Sequence, residues 1–404
     1  MNKKNVNRRV FLKTSVLGTA GTFLGARMFA HSTRPLAPSL QNKTRVITRK
    51  LGNTGLELPV VSFGVMRADN PALISAAMDA GIKHFDTAYV YQNGNNEKML
   101  GEILKDYPRD AFTIATKVPP EEKDRSTGHI LPGSTKKAFL DKLDTSLKRL
   151  QMDYVDILYV HSVSSRQAVF YEPMIDALET AKRQGKARHI GFSTHKNEVE
   201  VIEAAIERGV HEVILTSYNF LQSHHQQMTE VIEKASKAGI GIVAMKTMAG
   251  GRMSSKTDKK VDYKAALKWA LRNEHVHTSI PGIISFQQLK ENFSVTGDLN
   301  LTQEENDFLY SARDEEGLYC NGCEACLKAC TKNLPIPEIM RAYMYAHGYR
   351  EMKKAKDLLA ANDIRTNPCM ECSVCTTKCV RGFDIQKKIA DIARLNQMPD
   401  EFLV

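Results

Sequence analysis

The sequence predicts an α/β protein: a (β/α)8 barrel over residues 47–300, then a small, mostly helical, cysteine-bearing domain over 301–404. Three observations carry this. Eight short apolar runs alternate with longer amphipathic stretches across the first segment. No G-x-G-x-x-G turn follows the first run, which disfavours a doubly wound sheet. All eight cysteines of the 404-residue chain fall in its last quarter, in two runs of identical spacing.

The apolar runs lie at 60–63, 84–88, 112–117, 155–161, 190–194, 213–218, 240–245 and 278–282. Continuous rather than alternating apolar character suits parallel strands covered on both faces. Between them, Phe139, Leu140, Leu143, Leu147 and Leu150 repeat at helical spacing, as do Val199, Ile202, Ala205 and Ile206. "RQGKARHI" and "KAGIGIV" put glycine where a helix gives way to a strand.

Composition is that of a soluble globular protein, 42% hydrophobic and 25% charged, which excludes a disordered chain and a membrane bundle. The net charge is +10, but Lys3, Lys4, Arg8, Arg9, Lys13 and Arg27 supply six of those charges within the first 30 residues, unopposed by any acid. The rest of the chain carries four and no basic-aromatic stripe, so nucleic acid is not an expected partner. "NRRVFLK" precedes an uncharged, mildly apolar stretch and small residues near Ala30, the pattern of a secretory signal over 1–30. The pair Arg8-Arg9 followed by Phe11, Leu12 and Lys13 resembles the twin-arginine type rather than an ordinary Sec signal or a lone anchor. That resemblance implies a periplasmic protein, exported by the twin-arginine machinery after folding around its cofactors. Residues 31–46, with Pro35 and Pro38, read as a linker.

Catalytic groups of a barrel sit at the carboxyl ends of its strands. Those ends carry Asp86, Lys117 and His161, and Tyr91 lies in the loop after the second strand. A single such residue has ordinary explanations, a surface lysine or a core histidine; four on one rim are harder to dismiss. "GIKHFDTAYVYQNGNNEKMLGEIL", "FTIATK", "DYVDILYVHS", "ARHIGFSTH" and "IPGIISFQQLKEN" resemble the successive blocks of the aldo-keto reductases, and "RKLGNTGLELPVVSFGVM" resembles their opening hairpin and first strand. The resemblance spans roughly residues 47–298 and implies a catalytic tetrad of Asp86, Tyr91, Lys117 and His161. Carbonyl reduction puts negative charge on oxygen, so a proton donor is needed there. An unperturbed phenol, with a pKa near 10, is too weak unless an ammonium favours its anion. Lys117 is expected to do this, with Asp86 holding Lys117 and His161 orienting the carbonyl oxygen.

The same resemblance implies a nicotinamide dinucleotide, NAD or NADP, and a small carbonyl or alcohol substrate, possibly sugar-like. Ser193 and Thr194 are expected at the carboxamide, Lys246 near the pyrophosphate, and Gly282, Gln288 and Asn292 at the adenosine half. Gly64 and Met66 stand at the end of the first strand. Members specific for NADP place basic residues at the positions of Gly282 and Gln288. Neither is basic here, so a 2′-phosphate would lack its charge-assisted partners. Leu215 stands where many members carry a glutamine beside the nicotinamide.

"CNGCEACLKAC" at 320–330 and "CMECSVCTTKC" at 369–379 share the form C-x-x-C-x-x-C-x-x-x-C. This resembles the ferredoxin arrangement for [4Fe–4S] clusters, in which the fourth cysteine of each run reaches the other cluster. On that pattern Cys320, Cys323, Cys326 and Cys379 hold one cluster, and Cys369, Cys372, Cys375 and Cys330 the second. Zinc closes its shell with four ligands, so a regular third and fourth cysteine in each run would be surplus. Disulfides would not explain the duplicated spacing. The intervening "IPEIMRAYMYAHGYREMKKAKDLLAAN" reads as helical.

Three functions fit these features. The first is an exported oxidoreductase whose clusters serve electron transfer, a redox partner protein or structure. The second is an electron carrier or docking module with an inactive barrel. The third is a lyase or isomerase with bound nicotinamide. Oligomeric state is not encoded in any feature of the sequence that we recognise.

Overall fold

The computed structural model describes residues 46–248, 262–314, 320, 322, 324–372, 374–380, 382 and 384–403. The expected leader, the linker as far as residue 45, and Cys323 lie outside the described residues. A hairpin of β1 (Thr48–Lys50) and β2 (Glu57–Pro59) precedes eight strands. These are β3 (Phe63–Gly64), β4 (His84–Asp86), β5 (Thr113–Val118), β6 (Val155–Val160), β7 (Ala187–Thr194), β8 (Val213–Ser217), β9 (Gly241–Met245) and β10 (Thr278–Ser279). Each pairs in parallel with the next, and each overlaps one of the apolar runs. Parallel bridges Val61–Ser279 and Gly64–Gly282 join the first strand to the last and close the barrel.

The interior is filled, not hollow. Ala115, Ile157, Tyr159, Val213, Leu215, Val243 and Ile280 form the inner core, and Leu51 and Leu58 of the hairpin plug its amino-terminal end. Leu215 is thus a fully buried core residue. The plug needs close backbone approach: Gly52, at φ 51°, would put a Cβ 2.4 Å from the Gly239 carbonyl oxygen. Strand β6 carries one acid, Asp156, fully buried yet held by Arg109 at 2.6 Å, Arg188 at 3.1 Å and the Ile114 amide at 2.9 Å.

Helices cover the outside with the stripes read from sequence. In Lys136–Leu150, Phe139, Leu143, Leu147 and Leu150 are buried, and the Thr135 hydroxyl caps the Ala138 amide. In Glu198–Arg208 the stripe shifts slightly, to Val201, Ile202, Ala204 and Ala205, with Val199 and Ile206 at its margin. Helix Gln303–Asp314 packs on the barrel through Leu309 and Ala312 against Phe220, Ala265 and Ala266. The buried Lys268–Glu305 pair, with contacts of 2.8 and 2.9 Å, pins it there.

The tail has its own core. Helices Ile336–Tyr343, Met352–Ala360 and Ile385–Ala393 pack through Ile336, Ile339, Met340, Leu359, Ile389 and Ile392. A π-helical turn, Met344–Gly348, extends the first of them; such turns often mark functional sites.

Candidate active site and cysteine centres

Strand β4 ends on Asp86, β5 carries Lys117 near its end, and His161 follows β6, so three catalytic candidates reach the same mouth. Tyr91 opens a 3-10 turn after β4, followed by Gln92 and Asn93 in the left-handed region at φ 49° and 53°. Ser162 and Lys246, at other strand ends, are left-handed too, at φ 63° and 56°. Non-glycine residues in this conformation cost of the order of 1 kcal/mol each and concentrate at functional sites. Here four of them ring one barrel end.

Asp86 and Lys117 are each 1% exposed and form an ion pair. The Lys117 ammonium also donates to the Thr87 carbonyl at 2.7 Å and stands 3.4 Å from the Tyr91 hydroxyl. The Tyr91 and His161 rings meet edge to face at 5.9 Å. Burial pushes the Tyr91 phenol above the usual tyrosine range, while Lys117 pulls it back. Lys117 favours the phenolate, as expected, but burial outweighs it, and the phenol stays protonated. Burial, with Lys117, Lys123 and Lys354 adding, lowers His161 to about 3, so its imidazole is neutral at pH 7. A neutral ring gives a hydrogen bond rather than a proton.

On the expected dinucleotide side, Ser193 and Thr194 end β7, both buried. The Ser193 hydroxyl accepts from the Ser162 amide at 2.9 Å, and Thr194 donates to the Lys196 carbonyl at 3.1 Å. Lys246 follows β9 and is open to solvent; crowding by surrounding protein, then the charge of Arg341, lowers its ammonium to about 7. Gly64, buried on β3, would put a Cβ 2.5 Å from the Ile280 carbonyl oxygen, and Met66 follows it in the loop, where its carbonyl accepts from Gln92 at 3.2 Å. Gly282 is exposed with open space before it. Gln288 and Asn292 lie one turn apart on Phe286–Ser294; the Gln288 side chain accepts from the Ile284 amide at 2.8 Å, and Asn292 is buried. An open cation at one strand end and an uncrowded glycine at the next fit an elongated anionic cofactor.

The tail lies across this mouth, a feature the sequence reading missed. Arg67 donates to the Tyr349 carbonyl at 3.0 Å, packs on the Tyr349 ring and pairs with Glu351 at 3.6 Å. Arg125 donates to the Ala361 carbonyl at 3.1 Å, and Lys196 pairs with Glu324 at 3.0 Å. Arg341 reaches His195 at 3.4 Å, and Tyr345 is near enough to bear on the Tyr91 phenol. Glu338 and Arg341 stand at i and i+3 on helix Ile336–Tyr343, off its buried apolar positions, and pair at 3.1 Å; that spacing is a legible signal.

Cys330, Cys369, Cys372 and Cys375 line one open cavity, with Lys332, Ile336, Ile385 and Ile389 among its walls. Burial and the three neighbouring thiols raise Cys369 to about 11. No group of three described His, Cys, Asp or Glu side chains converges as a single metal ion would require. Four cysteine sulfurs on one cavity are the donor set that a [4Fe–4S] cluster takes. Of the other set, Cys320, Cys326 and Cys379 pack against the tail's core, and the Gly322 amide donates to the Cys320 sulfur at 3.3 Å.

Residues 62–265 match the model of the aldo/keto reductase family, and the chain belongs to that family. Residues 319–384 match the 4Fe-4S dicluster domain. The L-galactose dehydrogenase of Arabidopsis thaliana is 28% identical over 299 residues, covering 63% of this chain and 90% of that protein. The L-glyceraldehyde 3-phosphate reductase of Escherichia coli O157:H7 is 27% identical over 318 residues, 64% and 89% of the two chains. Among solved structures, the holo form of aldo-keto reductase AKR11C1 from Bacillus halodurans superposes with a TM-score of 0.54 at 24% identity, covering 66% of this chain and 96% of its own. The protein is therefore an oxidoreductase of this family, in which nicotinamide dependence is typical, carrying an iron–sulfur dicluster domain.

Proposed function

We propose that the protein is an exported reductase that interconverts a carbonyl compound and its alcohol, with Tyr91 as general acid and base. The observation that carries the reading is the Lys117 ammonium, 3.4 Å from the Tyr91 hydroxyl and paired with Asp86. A nicotinamide dinucleotide, held by Ser193, Thr194, Lys246, Gln288 and Asn292, supplies the hydride when bound. Neutral His161 orients the substrate oxygen. As that oxygen gains negative charge, Tyr91 gives it the phenolic proton, and Lys117 stabilises the phenolate left behind. At an effective dielectric constant of about 20, a unit pair at this separation attracts by about 5 kcal/mol. Asp86 keeps the ammonium charged and aimed. In the oxidative direction Tyr91 takes the proton back.

In the tail, two [4Fe–4S] clusters would be held as the spacing suggests: Cys330, Cys369, Cys372 and Cys375 around the cavity described above, and Cys320, Cys323, Cys326 and Cys379 for the other. Such clusters supply one-electron transfer or a structural staple. Folding around them in the cytoplasm gives the Arg8-Arg9 leader its reason, because the twin-arginine route carries folded cargo. Two measurements test the proposal. The anaerobically purified protein should reduce a short aldehyde with NADH or NADPH; absence of both turnover and dinucleotide binding would favour an electron carrier with an inactive barrel. Arg8→Lys with Arg9→Lys should strand the protein in the cytoplasm; unchanged export would contradict the twin-arginine assignment.

A further inference from the structure

The mouth of the barrel holds more cation than its tetrad uses. Among the described residues, Lys117 is paired with Asp86, Arg341 with Glu338 at 3.1 Å, and Lys354 with Glu351 at 2.9 Å. Lys246 and Lys123 have no ion pair of this kind. Lys246 is assigned above to the dinucleotide. Lys123, in the loop after β5, donates to the Ser162 carbonyl at 2.5 Å. Ser162 directly follows His161 and holds the left-handed conformation that turns its carbonyl toward the ammonium. Lys123 therefore sits beside the ring that would orient the substrate oxygen.

From the tail side, the Arg341 guanidinium reaches His195 at 3.4 Å, and Lys354 lies 4.3 Å above the Tyr345 ring. The charges of Lys246, Arg341 and Lys123 all bear on His195, which burial and these neighbours hold well below the ordinary histidine range. Burial also lowers Lys123 to about 8, opposed by Glu338 and assisted by Lys196, Arg341 and Arg125. The two cations border neighbouring strand ends, Lys123 at Ser162 after β6 and Arg341 at His195 after β7, and Glu338, paired with Arg341, is the acid that bears on both.

We propose that Lys123 from the barrel and Arg341 from the iron–sulfur tail form an oxyanion-binding subsite beside Tyr91 and His161, so that the substrate is a carbonyl compound bearing a carboxylate or phosphate. The tail is then part of the substrate site. The inference rests on the reductase reading above. It concerns what the substrate carries, not whether hydride is transferred.

The test compares anionic and neutral members of matched pairs: D-glucuronate with D-glucose, and glyceraldehyde 3-phosphate with glyceraldehyde. In the wild-type holoprotein, kcat/KM should favour one anionic member by about tenfold or more, the worth of one charge-assisted hydrogen bond. Lys123→Met should lower kcat/KM for that anionic substrate about tenfold more than for its neutral partner, mainly through KM, and Lys123→Arg should restore most of the loss. Which pair responds distinguishes carboxylate from phosphate. Equal kcat/KM within both pairs, or equal loss in both members on Lys123→Met, would overturn the proposal. Should no aldehyde turn over, the reductase reading fails separately, and calorimetry decides the subsite. Glycerate or 3-phosphoglycerate binding weakened by Lys123→Met and by Arg341→Met sustains it, whereas no binding above that of glycerol overturns it.

Discussion

Removing the Asp86 carboxylate should cost more than removing the whole Asp86–Lys117 pair. Both side chains are buried, and the Lys117 ammonium has Asp86, the Thr87 carbonyl and the Tyr91 hydroxyl as its polar neighbours. Asp86→Asn leaves a buried ammonium with no counter-charge, a change worth about 3–5 kcal/mol. That is a large share of the roughly 5–15 kcal/mol that holds a typical protein folded. Lys117→Met should cost a similar amount, because it leaves a buried carboxylate with no counter-charge, one oxygen of which has no hydrogen-bond partner among the described residues. Asp86→Asn combined with Lys117→Met removes both charges, and should recover most of either single loss, since buried pairs replaced by neutral groups are often close to neutral in stability. Urea denaturation of the three variants, with m compared throughout, measures the cycle. The double variant should fold and still fail to turn over, which separates the pair's structural role from its catalytic one. A cost below about 1 kcal/mol for Asp86→Asn, or additive losses in the double variant, would refute the reasoning, because neither fits a buried ion pair.

Dinucleotide affinity should fall as pH rises from 6 to 8. Lys246, lowered to about 7, is charged below that pH and loses its charge above it, while the pyrophosphate stays anionic throughout. Fluorescence titration should give a slope that Lys246→Met removes; a flat profile in the parent would assign phosphate binding elsewhere. The intact protein should hold about eight irons, and Cys372→Ser, at the wall of the cavity, should lose about four of them. Stoichiometric zinc with negligible iron would contradict the cluster assignment.

The barrel was legible because its strands are apolar on both faces: Val155–Val160 is buried at every position, and no surface periodicity obscures such a run. The placement of Asp86 and Lys117 at one mouth of the barrel was legible for a related reason. A polar residue that ends a buried strand stands out, as Asp86 and Lys117 do. What sequence did not reveal is contact across long separation. Arg67 with Glu351, Lys196 with Glu324 and Arg341 with His195 join segments more than a hundred residues apart, and pairing of surface charges has no sequence signature. From sequence, helix Gln303–Asp314 reads with the tail for the same reason. Its own pattern does not say which core it serves, and Leu309 and Ala312 turn out to meet the barrel. The direction of the Tyr91 shift also depends on a competition, burial against one ammonium, that only assembled geometry sets.

The central claim is that the Tyr91 hydroxyl is the group that moves the proton. Replacing it in Tyr91→Phe leaves the ring, its contact with His161 and the dinucleotide side of the mouth in place. The measurement is kcat for reduction of a short aldehyde by the anaerobically purified variant, alongside its dinucleotide Kd. General acid catalysis is worth about 10²–10⁴-fold. A loss of that size in kcat is expected, with Kd nearly unchanged, since the hydroxyl acts in the transition state. Turnover by Tyr91→Phe at the wild-type rate would contradict it.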